Sequence, residues 1–241
     1  MRVIITGMNG TVAPYAAKEL MACGHTVIPW DRKAVPTDSL LKTREFLLRE
    51  RAEYVLHIAM GPEQWARDMA QVCAQHGIGF LFTSTVDVLS DKNSGPYIPK
   101  DEPFSVTDYG KYKIRCEEMI KSVNTDARIV RLGWQIGREP GSNNMVDFLT
   151  KQIKDYGVIR AGRRWYPSCS YLWDTSEALL TAMGLPPDTY LFNANVNMSF
   201  YEIVQTLQKE HSDFLVEESD VLVRDDRMID MRLPARHPFS R

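Results

Sequence analysis

The sequence predicts an α/β fold built on a doubly wound parallel sheet, and three observations carry that prediction. Apolar runs of strand length alternate with helical patterns across the first 132 residues, the signature of parallel strands covered by helices on both faces. The first strand runs straight into Gly7-x-x-Gly10-x-x-Ala13 and a helix, whose first backbone amides have no partners within the helix and face the turn. An acid, Asp31, closes the second strand eighteen residues after Ala13, where a carboxylate can accept from the ribose of a dinucleotide.

The elements follow in order. Val3–Thr6 is a short apolar, β-branched strand. Gly7 permits the tight turn out of it, Gly10 lets backbone approach a phosphate, and Ala13 is small enough for close helix-to-strand packing. A helix spans Thr11–Cys23, with Gly24 placed for a left-handed cap. The second strand is Thr26–Trp30. A helix over Asp38–Glu50 has Thr37 and Asp38 as candidate caps. The third strand, Tyr54–Ile58, is followed by a helix over Gln64–His76 with Gly77 and Gly79 at its cap positions. Gly79–Ser84 forms the fourth strand, Tyr109–Val123 a helix, and Arg128–Leu132 the fifth strand.

Beyond Gly133 the rhythm loosens. A Gly/Asn-rich loop from Gly137 to Asn144 leads to a helix at Met145–Asp155 and a short strand near Val158. Helices at Asp174–Met183 and Phe200–Glu210 precede an arginine-dotted tail to Arg241. The division expected is a Rossmann core over residues 1–135 and a small, shortened substrate-binding lobe over 136–241, partly interleaved with the core.

Composition narrows the partners. The 241 residues are 44% hydrophobic and 25% charged, enough for a full core, and the net charge of −2 provides no basic field for nucleic acid or an anionic membrane. A small molecule is the expected partner. No apolar run approaches the roughly twenty residues of a spanning helix, and the N-terminus enters a strand at once, so the expectation is a cytoplasmic protein. Cys23, Cys73, Cys116 and Cys169 are scattered and read as reduced, mostly buried thiols. No acidic or Cys/His cluster has ligand spacing, so no metal is expected.

The chemistry concentrates in two places. In Tyr109-Gly-Lys-Tyr-Lys113 the ends lie four residues apart on one helical face. An ammonium there favours the phenolate and draws the tyrosine below its usual value of about 10, making it a proton donor and acceptor near neutrality. Phe82-Thr-Ser-Thr-Val-Asp87 puts hydroxyls at a strand terminus, where they can donate to a substrate carbonyl. Asp31 and Arg32 pull cofactor choice in opposite directions, the carboxylate toward NAD(H) and the guanidinium toward the 2′-phosphate of NADP(H). Both remain open.

Other conspicuous residues have plainer readings. His57, inside an apolar strand, and His25, after a helix, are expected to be structural. Trp165-Tyr166-Pro167 is either a stacking platform or lobe core. Arg160, Arg163 and Arg164 are expected mainly as a solvated face, with a substrate pyrophosphate as the other candidate partner.

Taken in order, Gly7-x-x-Gly10-x-x-Ala13, Val55-Leu-His-Ile-Ala-Met60, Ser84-Thr85-Val-Asp-Val88, Tyr109-Gly-Lys-Tyr-Lys113 and Arg131-Leu-Gly-Trp134 resemble the extended short-chain dehydrogenase/reductases. Within them the sequence is most similar to the dTDP-4-dehydrorhamnose reductase branch, with Gly141-Ser-Asn-Asn144, Pro167-Ser168 and Asp174-Thr-Ser-Glu-Ala-Leu179 in the same order. The resemblance covers nearly the whole chain, more loosely after about residue 135.

It implies an NAD(P)H-dependent oxidoreductase of a nucleotide-activated keto sugar. Thr85 would bond the substrate carbonyl, Tyr109 supply the proton, and Lys113 lower the tyrosine and contact the nicotinamide ribose. Gly7, Asn9, Gly10, Thr11, Val12, Asp31, Arg32, Ala59, Met60 and Thr83 would hold the cofactor, and Trp134, Asn144 and Trp165 would line the substrate. The segment between Ala59 and Ser84 is shorter than this family usually carries, and no Asp-Glu pair follows Thr85, so elimination is not expected. Alternatives are a nucleotide-sugar epimerase of the same superfamily and a non-catalytic dinucleotide-binding regulatory subunit, with a homodimer left open.

Overall fold

A computed structural model describes residues 1–89, 95–138, 143–211 and 214–240. Its centre is a parallel sheet. In chain order the core runs β1 (Arg2–Thr6), α1 (Ala13–Ala22), β2 (Thr26–Pro29), α2 (Leu40–Arg49), β3 (Tyr54–His57), α3 (Glu63–His76), β4 (Gly79–Thr85), α4 (Asp108–Lys121) and β5 (Arg128–Leu132). The lobe adds β6 (Trp134–Ile136), α5 (Met145–Tyr156), β7 (Val158–Gly162), β8 (Trp165–Tyr166), β9 (Cys169–Tyr171), α6 (Leu172–Gly184), β10 (Thr189–Phe192), α7 (Phe200–His211), β11 (Leu215–Ser219) and β12 (Arg224–Asp225).

The six-stranded sheet has the order β10-β5-β4-β3-β1-β2. From β1 the chain steps outward to β2, then crosses back to β3 on the other side, so the switch point lies between β1 and β3. Ligands of doubly wound sheets bind outside the strand ends there.

Alternation within each strand sends its residues to two separate cores. Ile4, Val55, Phe80, Phe82 and Ile129 face Leu47 of α2, Met69 and Cys73 of α3, and Ile120 of α4. Val3, Ile5, Leu56, Leu81 and Val130 face Ala13, Ala17 and Leu20 of α1 and Leu179 and Met183 of α6. Ala13 is wholly buried, as close packing requires.

Three local expectations are revised. Ser39 caps α2 by accepting from Lys42 N at 3.3 Å, the place expected for Thr37 or Asp38. Gly24 and Gly77 take positive φ, whereas Gly79 opens β4: a Cβ on it would lie 2.3 Å from the Tyr54 ring. The sixth strand, β10, and the two-to-five-residue pairs β6·β9, β7·β11 and β8·β12 were not foreseen beyond the segment near Val158. These strands are too short to show a period, and their partners lie 35 to 59 positions away. Among the described residues no helix is long and apolar enough to cross a membrane.

Candidate active site

At the switch point Gly7, φ +88°, turns the chain out of β1, and Gly10 N donates to Gly7 O at 2.8 Å. A Cβ on Gly7 would stand 3.1 Å from Ala59 N, so the first turn packs backbone to backbone on the segment after β3. Thr6 ties the two together: its hydroxyl accepts from Ile58 N and Ala59 N, both at 3.0 Å, and lies 2.8 Å from His57 Nδ1. With both amides donating to it, the Thr6 hydroxyl gives its proton to Nδ1. Burial keeps His57 neutral, well below its usual value, with Lys113 and Arg32 adding to that. His57 is therefore structural. His25 lies 3.2 Å from the terminal amine through Nδ1, also away from the site.

Between these turns lies a cavity of about 770 Å³ lined by Gly7, Asn9, Gly10, Thr11, Val12, Asp31, Arg32, Ala59 and Met60, nine of the residues expected to hold a cofactor, and also by Met8, Pro29, Trp30, Lys33 and Ile58. Helix α1 has no side-chain cap at its N-terminus, so its first amides are left to whatever occupies the cavity. A glycine-lined cradle at an uncapped helix start fits a dinucleotide pyrophosphate. Asp31 accepts from Lys33 N at 2.9 Å, and Arg32 donates to Met60 O while its guanidinium sits 4.9 Å from the centre of the Trp65 ring.

Thr83, Thr85, Tyr109 and Lys113 lie beyond this cavity, at the end of β4 and the start of α4. Thr85 Oγ1 accepts from Asp87 N at 3.2 Å, and its hydroxyl is near enough to the Tyr109 phenol to pull the phenol's pKa down. Lys113, only 2% exposed, donates to Thr83 O at 2.8 Å and rests 4.4 Å from the centre of the Phe82 ring. Burial draws its ammonium down to about 8, opposed by Cys116 and Glu117. The structure revises the expected electrostatics. Tyr109, 42% exposed, stands above its ordinary value because of desolvation and the Asp87 carboxylate, with the Thr85 hydroxyl pulling the other way. Lys113 Nζ is 6.0 Å from the Tyr109 ring centre, bonded to the strand carbonyl instead. Thr83 thus contributes its carbonyl to the lysine.

What positions α4 was not visible in the motif. Thr107 caps the helix by accepting from Gly110 N at 2.9 Å and donates to Asp87. A Cβ on Gly110 would fall 2.1 Å from Ser105 Oγ and 2.7 Å from Asp87 O, so the helix start presses against the chain leaving β4. Below Lys113, Glu117 makes a two-point ion pair with Arg131 of β5, at 3.1 and 2.8 Å. Spacing puts Glu117 on the lysine's face of the helix, a signal available in the sequence; its arginine partner was not.

In the lobe, Trp134 and Trp165 stack at 6.1 Å and pack on Phe200, while Trp165 Nε1 donates to Asp226 at 2.8 Å. Asn144 caps α5, accepting from Val146 N at 2.8 Å and Asp147 N at 3.3 Å, in a box closed by Asp147. Gly141 and Ser142 of the same motif lie outside the described residues. Arg160 and Arg163 pair with Glu217 and Glu218 on the exposed β11, as a solvated face would. Cys23 is exposed; the other cysteines are buried, and none is disulfide-bonded.

The sheet, its glycine cradle and the hydroxyl, phenol and ammonium groups at the next strand end form an arrangement suited to a dinucleotide and a proton donor. Residues 62–164 match the family described as RmlD substrate binding domain. The chain is 24% identical over 225 residues to the spore coat polysaccharide biosynthesis protein SpsK of Bacillus subtilis, covering 87% of this chain and 79% of that protein. It is 26% identical over 237 residues to a dTDP-4-dehydrorhamnose reductase of Mycolicibacterium smegmatis, covering 88% and 70%. In fold it is similar to a dTDP-4-dehydrorhamnose reductase from Bacillus anthracis crystallised with NADP, with a TM-score of 0.79, 20% identity and coverage of 95% and 90%. The chain is thus similar in sequence to a dTDP-4-dehydrorhamnose reductase over most of its length, and similar in fold to solved structures of such reductases.

Proposed function

We propose that the protein is an NAD(P)H-dependent reductase of a nucleotide-activated keto sugar, with Tyr109 as proton donor. The observation that carries this is the placement of Thr85 at the end of β4 with Tyr109 and Lys113 one helical turn apart at the start of α4, at the same strand-end face as the glycine cradle. The cradle residues and Arg32 would hold the dinucleotide, which supplies hydride when bound.

The remaining chemistry belongs to the chain. Reduction of a ketone places negative charge on its oxygen, and a group that gives up a proton there removes the charge as it forms. A phenol held above its ordinary value is fully protonated at neutral pH and ready to donate. Once it has done so, the Thr85 hydroxyl can donate to the phenolate and the Lys113 ammonium is the nearby cation. Trp134 and Trp165 offer stacked rings for the substrate, and Asn144 acts on that side through the start of α5. The reading places the protein in the cytoplasm.

The test is Tyr109→Phe, followed by nicotinamide absorbance with dTDP-4-dehydrorhamnose as probe substrate. Turnover should fall by about 10²–10⁴-fold while NADPH affinity is kept. Unchanged turnover ends the assignment. Copurifying NAD with no net consumption would instead indicate an epimerase, and cofactor binding without turnover a regulatory subunit.

A further inference from the structure

The segment after β3 has only five residues, Ile58 to Pro62, before α3 begins at Glu63, and it supplies Ile58, Ala59 and Met60 to the wall of the dinucleotide cavity. So short a wall needs anchoring, and three side chains provide it. Thr6 bonds the amides of Ile58 and Ala59 from β1, and Arg32 bonds Met60 O from beyond β2. The third anchor comes from the opposite side. The Tyr112 hydroxyl donates to Gly61 O at 2.9 Å and accepts from Gly61 N at 3.1 Å, occupying both backbone groups of one residue. Tyr112 lies on α4 between Tyr109 and Lys113, and Lys113 Nζ is 5.9 Å from its ring centre.

We propose that Tyr112 is a positioning residue for the dinucleotide: its two-way bond to Gly61, the residue after Met60, fastens the Ile58–Met60 wall of the cofactor cavity to the helix that carries Tyr109 and Lys113. This rests on the proposed dinucleotide site. Gly61 cannot take over with a side chain of its own, because a Cβ there would lie 2.6 Å from the Trp65 ring. The wall depends on groups reaching its backbone.

Tyr112→Phe keeps the ring and removes only the hydroxyl. The matched control is Tyr190→Phe, which deletes a phenol donating to Pro186 O at 2.6 Å from β10, at the other end of the sheet from β2. NADPH dissociation constants are measured by nicotinamide fluorescence without sugar substrate, alongside melting temperature and steady-state kinetics. Losing the bond pair should weaken NADPH by about tenfold and raise its KM in step, with kcat at saturation within about twofold of the parent, while Tyr190→Phe leaves NADPH affinity unchanged. Unchanged affinity in a folded Tyr112→Phe overturns the proposal, as does an equal loss in both variants. A parent protein that binds neither NADPH nor NADH overturns the dinucleotide site itself, and this proposal with it.

Discussion

Glu117→Gln tests the electrostatic footing of the site. The Glu117 and Arg131 side chains are 3% and 2% exposed, and Arg131 bonds the carboxylate through Nε and Nη2 while its Nη1 has no hydrogen-bond partner among the described residues. Glutamine has nearly the same shape, so no cavity opens, but it turns one acceptor into a donor facing a guanidinium and leaves that cation uncompensated. Breaking a buried pair in this way typically costs about 3–5 kcal/mol, a large part of the roughly 5–15 kcal/mol that stabilises a domain. Urea unfolding should show a lower midpoint with an unchanged slope. Adding Arg131→Met removes the orphaned charge, the larger part of the penalty, and should restore part of the loss. Glu117→Gln also removes a negative neighbour that keeps Lys113 protonated, so the alkaline limb of the kcat/KM profile should move to lower pH. A loss below about 1 kcal/mol, or a double variant no more stable than the single, would refute the reasoning.

Two further outcomes follow from the same helix. Gly110→Ala must displace either Ser105 or the Asp87 carbonyl, and should lower kcat by at least about tenfold with NADPH affinity largely kept, because a small misplacement of the proton donor is felt in the chemical step; stopped-flow reduction with NADPH bound checks this, and parental rates would contradict it. Lys113 titrates near 8 in the folded protein against an ordinary 10.5, so below pH 8 the parent carries a buried charge whose burial costs a few kcal/mol, relieved as pH rises through that window. Lys113→Met should therefore be slow at every pH yet more stable than the parent at pH 7, with the stability gap closing between pH 8 and 10.5; a constant gap would show that the lysine is not the titrating group.

Local sequence was sufficient wherever the determinant was local. The Gly7/Gly10 turn, the uncapped start of α1 and the acid after β2 are set by neighbours within one strand-turn-helix unit, and nine expected residues line one cavity. Asn144 shows where this stops: its motif marked the right place, but the side chain's acceptor is bonded to the first amides of α5, a competition familiar for asparagine before a helix. Strand β10 was missed because four buried residues carry no readable period, and their place beside β5 depends on a chain returning from the lobe.

The Tyr109/Lys113 pair shows the same limit within the site and changes what the tyrosine is suited to do. Four-residue spacing brings two Cβ atoms onto one face, but where the ammonium goes is decided by the Thr83 carbonyl, which comes from another element. With the cation drawn to the strand, desolvation and Asp87 set the phenol high. A phenol lowered by a touching ammonium would be divided between acid and base near neutrality. One held high is an acid, which suits the reduction proposed above, where the phenol would give a proton rather than take one. In the reverse direction, alcohol oxidation, the phenolate is required, so the rate should keep rising with pH until burial of Tyr109 and its Asp87 neighbour are overcome, provided Lys113 stays charged. Because Lys113 loses its proton near 8, the two requirements overlap poorly. On the proposed function, kcat for alcohol oxidation should therefore stay low across the pH range.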